Sequence, residues 1–158
     1  MNHPQPSPGP VLLFDGECGL CQRIVRILLR LDRAGRLRFA PLQGPRAQDY
    51  LRAHGLPTAD FETLVYVPDW ARRNEPEFLV RTAGVIAALR ETGGLGRVFA
   101  AVLRIIPGTW RDAAYRLVGR WRYRVFGAWQ PRPLARPELA ARFLEGVETV
   151  RRLGTESR

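Results

Sequence analysis

Val11-Leu12-Leu13-Phe14-Asp15-Gly16-Glu17-Cys18-Gly19-Leu20-Cys21 is the stretch that decides the fold. Its first four residues are continuously apolar between Pro10 and Asp15-Gly16, the pattern of a strand covered on both faces. Helical spacing follows at once. From Leu20 onward Ile24, Ile27, Leu28 and Leu31 recur every three or four residues, while Arg23, Arg26, Arg30 and Arg33 take the other side. This predicts an amphipathic helix, with Gly35 as its stop. Leu37-Arg38-Phe39-Ala40 then reads as a second strand, parallel to the first through a right-handed βαβ crossover.

Both cysteines lie where the strand turns into the helix. A cysteine at a helix N-terminus has its thiolate stabilised by unpaired backbone N–H groups and the positive end of the helix dipole, which lowers its pKa from about 8.5. Cys18 fits that place and is expected to be the exposed nucleophile. Cys21, one turn further in, is expected to resolve a mixed disulfide formed at Cys18, with no cofactor. A zinc half-site is the competing reading of the spacing, but it needs two more ligands, and the histidines are His3 and His54 alone. An iron–sulfur cluster would draw ligands from two chains. The plainest reading is two buried, inert cysteines, for which a Gly-flanked turn at a strand end is a poor setting. Asp15 admits two readings of equal weight: a proton acceptor for Cys21, or a turn residue bonding its own backbone. Glu17 reads as solvated.

Further along, Pro45 opens a short helix to about His54, ended by Gly55. Thr63-Leu64-Val65-Tyr66-Val67 is the next strand, closed by Pro68-Asp69, and Phe78-Leu79-Val80 is its antiparallel partner. Thr82 is placed to cap a helix through Ala83, Val85, Ile86 and Leu89 to Gly93. Leu95, Val98, Phe99, Val102 and Ile106 form one apolar stripe, broken by Pro107-Gly108. Thr109 with Asp112 resembles a capping box for a helix to about Phe126. Residues 130–137 read as a Pro/Arg linker and 138–153 as a last helix. The expected division is a flexible tail over 1–9, a core domain over 10–94, a packed helical extension over 95–127, and a linker with terminal helix over 128–158.

The 158 residues suit one compact domain, and 46% hydrophobic with 25% charged residues argues against wholesale disorder or a fibrous class. All 25 basic residues are arginine, giving a net charge of +10. Arginine favours phosphate and carboxylate recognition, yet no basic-aromatic binding module accompanies it, so a compositional preference is the simpler reading. Residues 1–10 lack the basic and apolar regions of a signal peptide. Arg97, Arg104, Arg111, Arg116 and Arg120 interrupt the most apolar third, well short of the roughly 20 apolar residues of a spanning helix. A soluble, cytoplasmic protein is expected. In that compartment two cysteines point to catalysis or metal binding rather than a staple. Arg122, Tyr123 and Arg124 read as a helix face with the tyrosine packed and the arginines in water. Trp110, Trp121 and Trp129 read as packing residues. The region 95–126 packs on the core in preference to lying on an anionic membrane surface.

From residue 11 to residue 43, with D-G-x-C-x-x-C after an apolar strand and an Arg-studded helix behind it, the chain resembles the DCC family of thiol–disulfide oxidoreductases. The likeness extends through Arg81-Thr82-Ala83, Ile106-Pro107, Arg111-Asp112, Tyr115, Arg122-Tyr123-Arg124, Phe126-Gly127 and Arg142-Phe143-Leu144. It implies an α/β, thioredoxin-like fold (βαβαββα, mixed sheet) with a C-terminal helical extension. It also implies a redox pair at Cys18 and Cys21, Asp15 as the third signature residue, and a protein or small-molecule disulfide or thiol as substrate. One departure from ordinary thioredoxins stands out: they set a cis-proline just before the third strand, and here the nearest candidate, Pro57, lies well ahead of Thr63. The competing function is a non-catalytic basic module that binds an acidic partner, a membrane surface or nucleic acid.

Overall fold

Val11–Phe14 has no polar member and becomes β1, a strand covered on both faces. In the computed structural model, which describes residues 9–127 and 141–144, the chain continues from β1 into α1 (Gly19–Leu31), β2 (Arg38–Pro41), α2 (Pro45–Ala53), β3 (Val65–Val67) and β4 (Leu79–Val80). Three helices follow: α3 (Arg81–Glu91), α4 (Gly94–Ile105) and α5 (Gly108–Phe126). The strands order as β2-β1-β3-β4, with β1 and β2 parallel and the other two pairings antiparallel. The expected α/β, thioredoxin-like arrangement is therefore present, and the helices beyond β4 extend it.

The period of two along β1 sorts the core into layers. Leu12 and Phe14 pack with Val25, Leu28 and Leu29 of α1 and Ala88 of α3. Val11 and Leu13 face the other way, onto Ala47, Tyr50 and Leu51 of α2 and onto Trp70. Each Val, Leu or Phe among them contributes on the order of 1.5–3 kcal/mol through burial. Because β1 is central and parallel to β2, its C-terminal end opens directly onto the start of α1, and the two cysteines sit at that junction.

Several local expectations need correction. Val80, not Thr82, is the N-cap of α3, and no side chain caps it. The Thr82 hydroxyl donates to Asp112 Oδ1 at 2.6 Å, a charge-assisted bond that ties α3 to α5 and takes Asp112 out of any capping box. Pro107 is the N-cap of α5, again without a side-chain cap. The α4 stripe of Leu95, Val98, Phe99, Val102 and Ile106 is largely exposed, not packed on the core. Within 138–153, the residues 141–144 are not α-helical. Phe143 forms a parallel bridge with Phe39, and Leu144 N–H donates to the Phe39 carbonyl at 2.9 Å. Arg142 binds the Asp32 carboxylate and the Leu37 carbonyl, so burial of Phe143 and pairing of Arg142 outweigh helix formation there. The expected tail at 1–8 and the linker and terminal-helix residues at 128–140 and 145–158 lie outside the described residues.

Gly84 shows how closely α3 rests on the sheet. A methyl group there would sit 2.8 Å from Leu64 Cδ1 and 3.0 Å from the Leu79 carbonyl oxygen. Replacing it with alanine gains helix propensity but overpacks the contact with backbone that cannot yield. Gly84→Ala is expected to destabilise the protein by about 1–3 kcal/mol, read as a lower denaturation midpoint at unchanged slope.

Candidate redox site

The turn from β1 into α1 is held by its own polar groups. Asp15 Oδ1 accepts the Glu17 backbone N–H at 3.0 Å, and the Asp15 carbonyl accepts that of Cys18 at 3.3 Å. Gln43, from the loop after β2, bridges the turn: its Oε1 accepts from Gly16 N–H at 2.9 Å and its Nε2 donates to Asp15 Oδ1 at 2.7 Å. Gln22 donates to the Gly16 carbonyl at 3.0 Å. Cys18 is the N-cap of α1, with extended backbone, and its Sγ accepts the Cys21 N–H at 3.4 Å. Both cysteines are free thiols.

The far end of α5 closes over this turn. Gly19 N–H donates to the Gly127 carbonyl at 3.3 Å, and a Cβ on Gly19 would lie 2.7 Å from the Phe126 carbonyl oxygen, so only glycine admits this approach. Arg122 and Tyr123 then reach the site from that helix, which corrects the reading of Arg122 as an arginine in water. Arg122 is 8% exposed; its Nη2 lies 3.3 Å from Asp15 Oδ2 and its Nη1 lies 3.7 Å from Cys21 Sγ. It also donates to the Phe61 carbonyl, and the Tyr123 hydroxyl donates to Asp15 Oδ2. Arg124 stays on the surface over the Trp121 ring, and Tyr123, whose hydroxyl turns inward, keeps an exposed ring. Trp110 and Trp121 are 72% and 50% exposed and are not packing residues; Trp129 lies outside the described residues. Tyr115, Gly119 and Arg122 share one face of α5 at four- and three-residue spacing, a signal that the sequence carried.

The expected exposure of Cys18 is also corrected: it is 0% exposed, whereas Cys21 is half-buried. Cys18 is nonetheless lowered to about 6, first by the side-chain hydrogen bond from Cys21, which outweighs burial, with help from the Cys21 N–H and the charge of Arg122. Cys21 moves far upward, because it keeps its proton for the Cys18 sulfur and because it is buried. Tyr123 is raised by burial and by its bond to Asp15. Burial opposes the charge on Arg122, but Cys21, Cys18 and Asp15 together hold it protonated. His54 is spent elsewhere, its Nε2 being 2.7 Å from the Arg73 carbonyl oxygen. Among the described residues no three His, Cys, Asp or Glu side chains gather as a metal site, and His3 lies outside them.

Residues 12–128 match the model of the DCC1-like thiol-disulfide oxidoreductase family. The chain belongs to that family. A Bacillus subtilis (strain 168) relative, named uncharacterized protein YuxK, is 31% identical over 137 residues, covering 87% of this chain and 95% of the relative. A chloroplastic DCC family protein of Arabidopsis thaliana is 28% identical over 118 residues, covering 75% of this chain and 65% of the relative. No solved structure matches the chain. Within this DCC1-like member, Cys18 and Cys21 stand together at the head of α1, and among the described residues no helix is long and apolar enough to cross a membrane.

Two consequences of the thiol pair are measurable. The Cys18 pKa of about 6 lies below the unfolded value of about 8.5, so between these values the unfolded chain binds more protons. The reduced protein is therefore expected to gain stability as pH rises through this window, and to lose that contribution as pH falls through 6; Cys18→Ser should flatten the rise. Urea melts at the two ends of the window check it. Arg122→Met leaves the buried Asp15 carboxylate without its ion partner, an expected cost of about 3–5 kcal/mol, and should raise the Cys18 pKa in a thiolate absorbance titration.

Proposed function

We propose that the chain is a protein-disulfide or small-thiol oxidoreductase that works by exchange through the Cys18/Cys21 dithiol. One observation carries this reading: a hydrogen bond from Cys21 and the charge of Arg122 favour a Cys18 thiolate near neutral pH, with the second thiol one helical turn away. A thiolate is the species that attacks or leaves a disulfide. Closing the dithiol to a disulfide passes two electrons to one substrate disulfide, which leaves as a thiol carrying the Cys21 proton and a thiolate that takes its proton from water. The cytoplasm suits this chemistry, because its thiol systems keep such a pair cycling. Redox titration against glutathione is the test. A single two-electron transition between roughly −120 and −270 mV is expected, the span of thioredoxin-like proteins, whereas thiols that stay reduced throughout would overturn the reading.

Asp15 is proposed as the acceptor of the Cys21 proton. Its carboxylate stands beside Arg122, which also touches Cys21, and it connects through the Tyr123 hydroxyl to a polar hollow of about 620 Å³ lined by Glu17, Gln43 and Asp60. Asp15→Asn keeps the turn's shape but removes the titrating group. Exchange is expected to slow about ten- to a thousandfold at neutral pH and to recover as pH rises, with a parallel melting curve separating this from lost stability. A rate unchanged at every pH would leave Asp15 as a turn residue only.

A further inference from the structure

The two sulfurs differ in access, and the difference runs against their order along the helix. Cys18 is sealed from solvent, whereas Cys21 forms part of the wall of a cavity of about 350 Å³ between the sheet, α1, α3 and α5. Leu12, Phe14, Ile24, Val85 and Val118 make most of that wall apolar, and Arg122 stands beside the sulfur. The volume lies within the range of small-molecule sites, about 300–1,000 Å³. Arg111 and Arg122 also border the cavity, but its accessible surface is almost wholly apolar, so an apolar thiol would bury its hydrocarbon there, whereas a strongly hydrated one would lose most of its water contacts. The cavity also has room at α5: a Cβ on Gly119 would meet only the Glu62 carbonyl oxygen, at 3.9 Å.

Resting on the thiol-exchange reading above, we propose that this cavity is the substrate site, that it takes a small apolar thiol or its disulfide, and that the mixed disulfide forms on Cys21. Starting from the oxidised protein, a substrate thiolate attacks Cys21 Sγ. The substrate–Cys21 bond forms, the Cys18–Cys21 bond breaks, and its electron pair leaves on Cys18. A second substrate thiolate attacks the bound substrate sulfur, forming the substrate disulfide and releasing Cys21, which takes up one of the two substrate protons while the other passes to water. Two thiols are oxidised to one disulfide, and the protein disulfide is reduced; the reverse direction uses the same bonds. Cys18 is the better leaving group because its thiolate is the more stable of the two.

Oxidation of the full-length dithiol by diphenyl disulfide and by hydroxyethyl disulfide tests this, each rate divided by that of dithiothreitol with the same probe. A preference for diphenyl disulfide of about tenfold or more is expected, falling toward one in Gly119→Leu, which fills the cavity; Ala114, in the same wall, serves as Ala114→Phe if that variant does not fold. In Cys18→Ser the phenylthio adduct should appear on Cys21, and Cys21→Ser should react far more slowly at Cys18. Equal normalised rates for the two probes would overturn the cavity assignment and leave thiol exchange standing. An adduct confined to Cys18 would overturn the order of the two cysteines. No oxidation by either probe would overturn the inference and the exchange reading together.

Discussion

Arg122 and Asp15 meet at 3.3 Å in the interior, a cation from the last turns of α5 against a carboxylate at the end of β1. Removing both charges from water costs several kcal/mol per ion, and attraction offsets this only when the remaining donors and acceptors are also satisfied. Here most of them are. Asp15 accepts from Gln43, Glu17 and Tyr123, and Arg122 donates to the Phe61 carbonyl and to Cys21 Sγ. Three chain segments that share no sheet pairing are thereby fixed around one turn: the head of α1, the stretch before β3, and the C-terminal half of α5.

The same pair separates two environments. On one side lies the apolar cavity with Cys21 in its wall; on the other lies the polar hollow reached through Asp15 and Tyr123. The backbone ahead of β3 is also engaged by α5, since Tyr115 accepts the Leu64 N–H and Arg122 binds the Phe61 carbonyl. The helices after β4 therefore supply walls and charge to the site, beyond covering the core. That explains how a short strand-to-helix turn carries thiols in such unequal protonation states.

The sequence made the sheet and the cysteine-bearing turn legible because both are local. An unbroken apolar run at Val11–Phe14 and helical spacing after Leu20 leave few alternatives, and the βαβαββα order follows from turn residues such as Pro45, Gly55 and Pro68. The burial of Arg122 and the partner of Tyr123 are not legible, because their contacts lie 101 and 108 residues away, a distance at which spacing along the chain carries no signal. Thr82 and Asp112 failed in the same way: each matched a capping pattern, and each found a better partner on another helix. Cys18 was expected in the open because a helix start usually faces solvent, and no local pattern reveals that Phe126 and Gly127 lie over it.

The contacts between α5 and the first turn close some of the longest loops in the chain, and loop closure has an entropic cost that rises with the span. Strand β1 pairs with β2 and β3 from residues far nearer in sequence. During synthesis the cysteines emerge long before Arg122 exists, so the nascent chain carries two ordinary, unshielded thiols with neither the cation nor the covering backbone. Thiol reactivity thus becomes a report on the completeness of the chain: a prematurely ended product keeps both cysteines yet lacks the electrostatics that distinguish them.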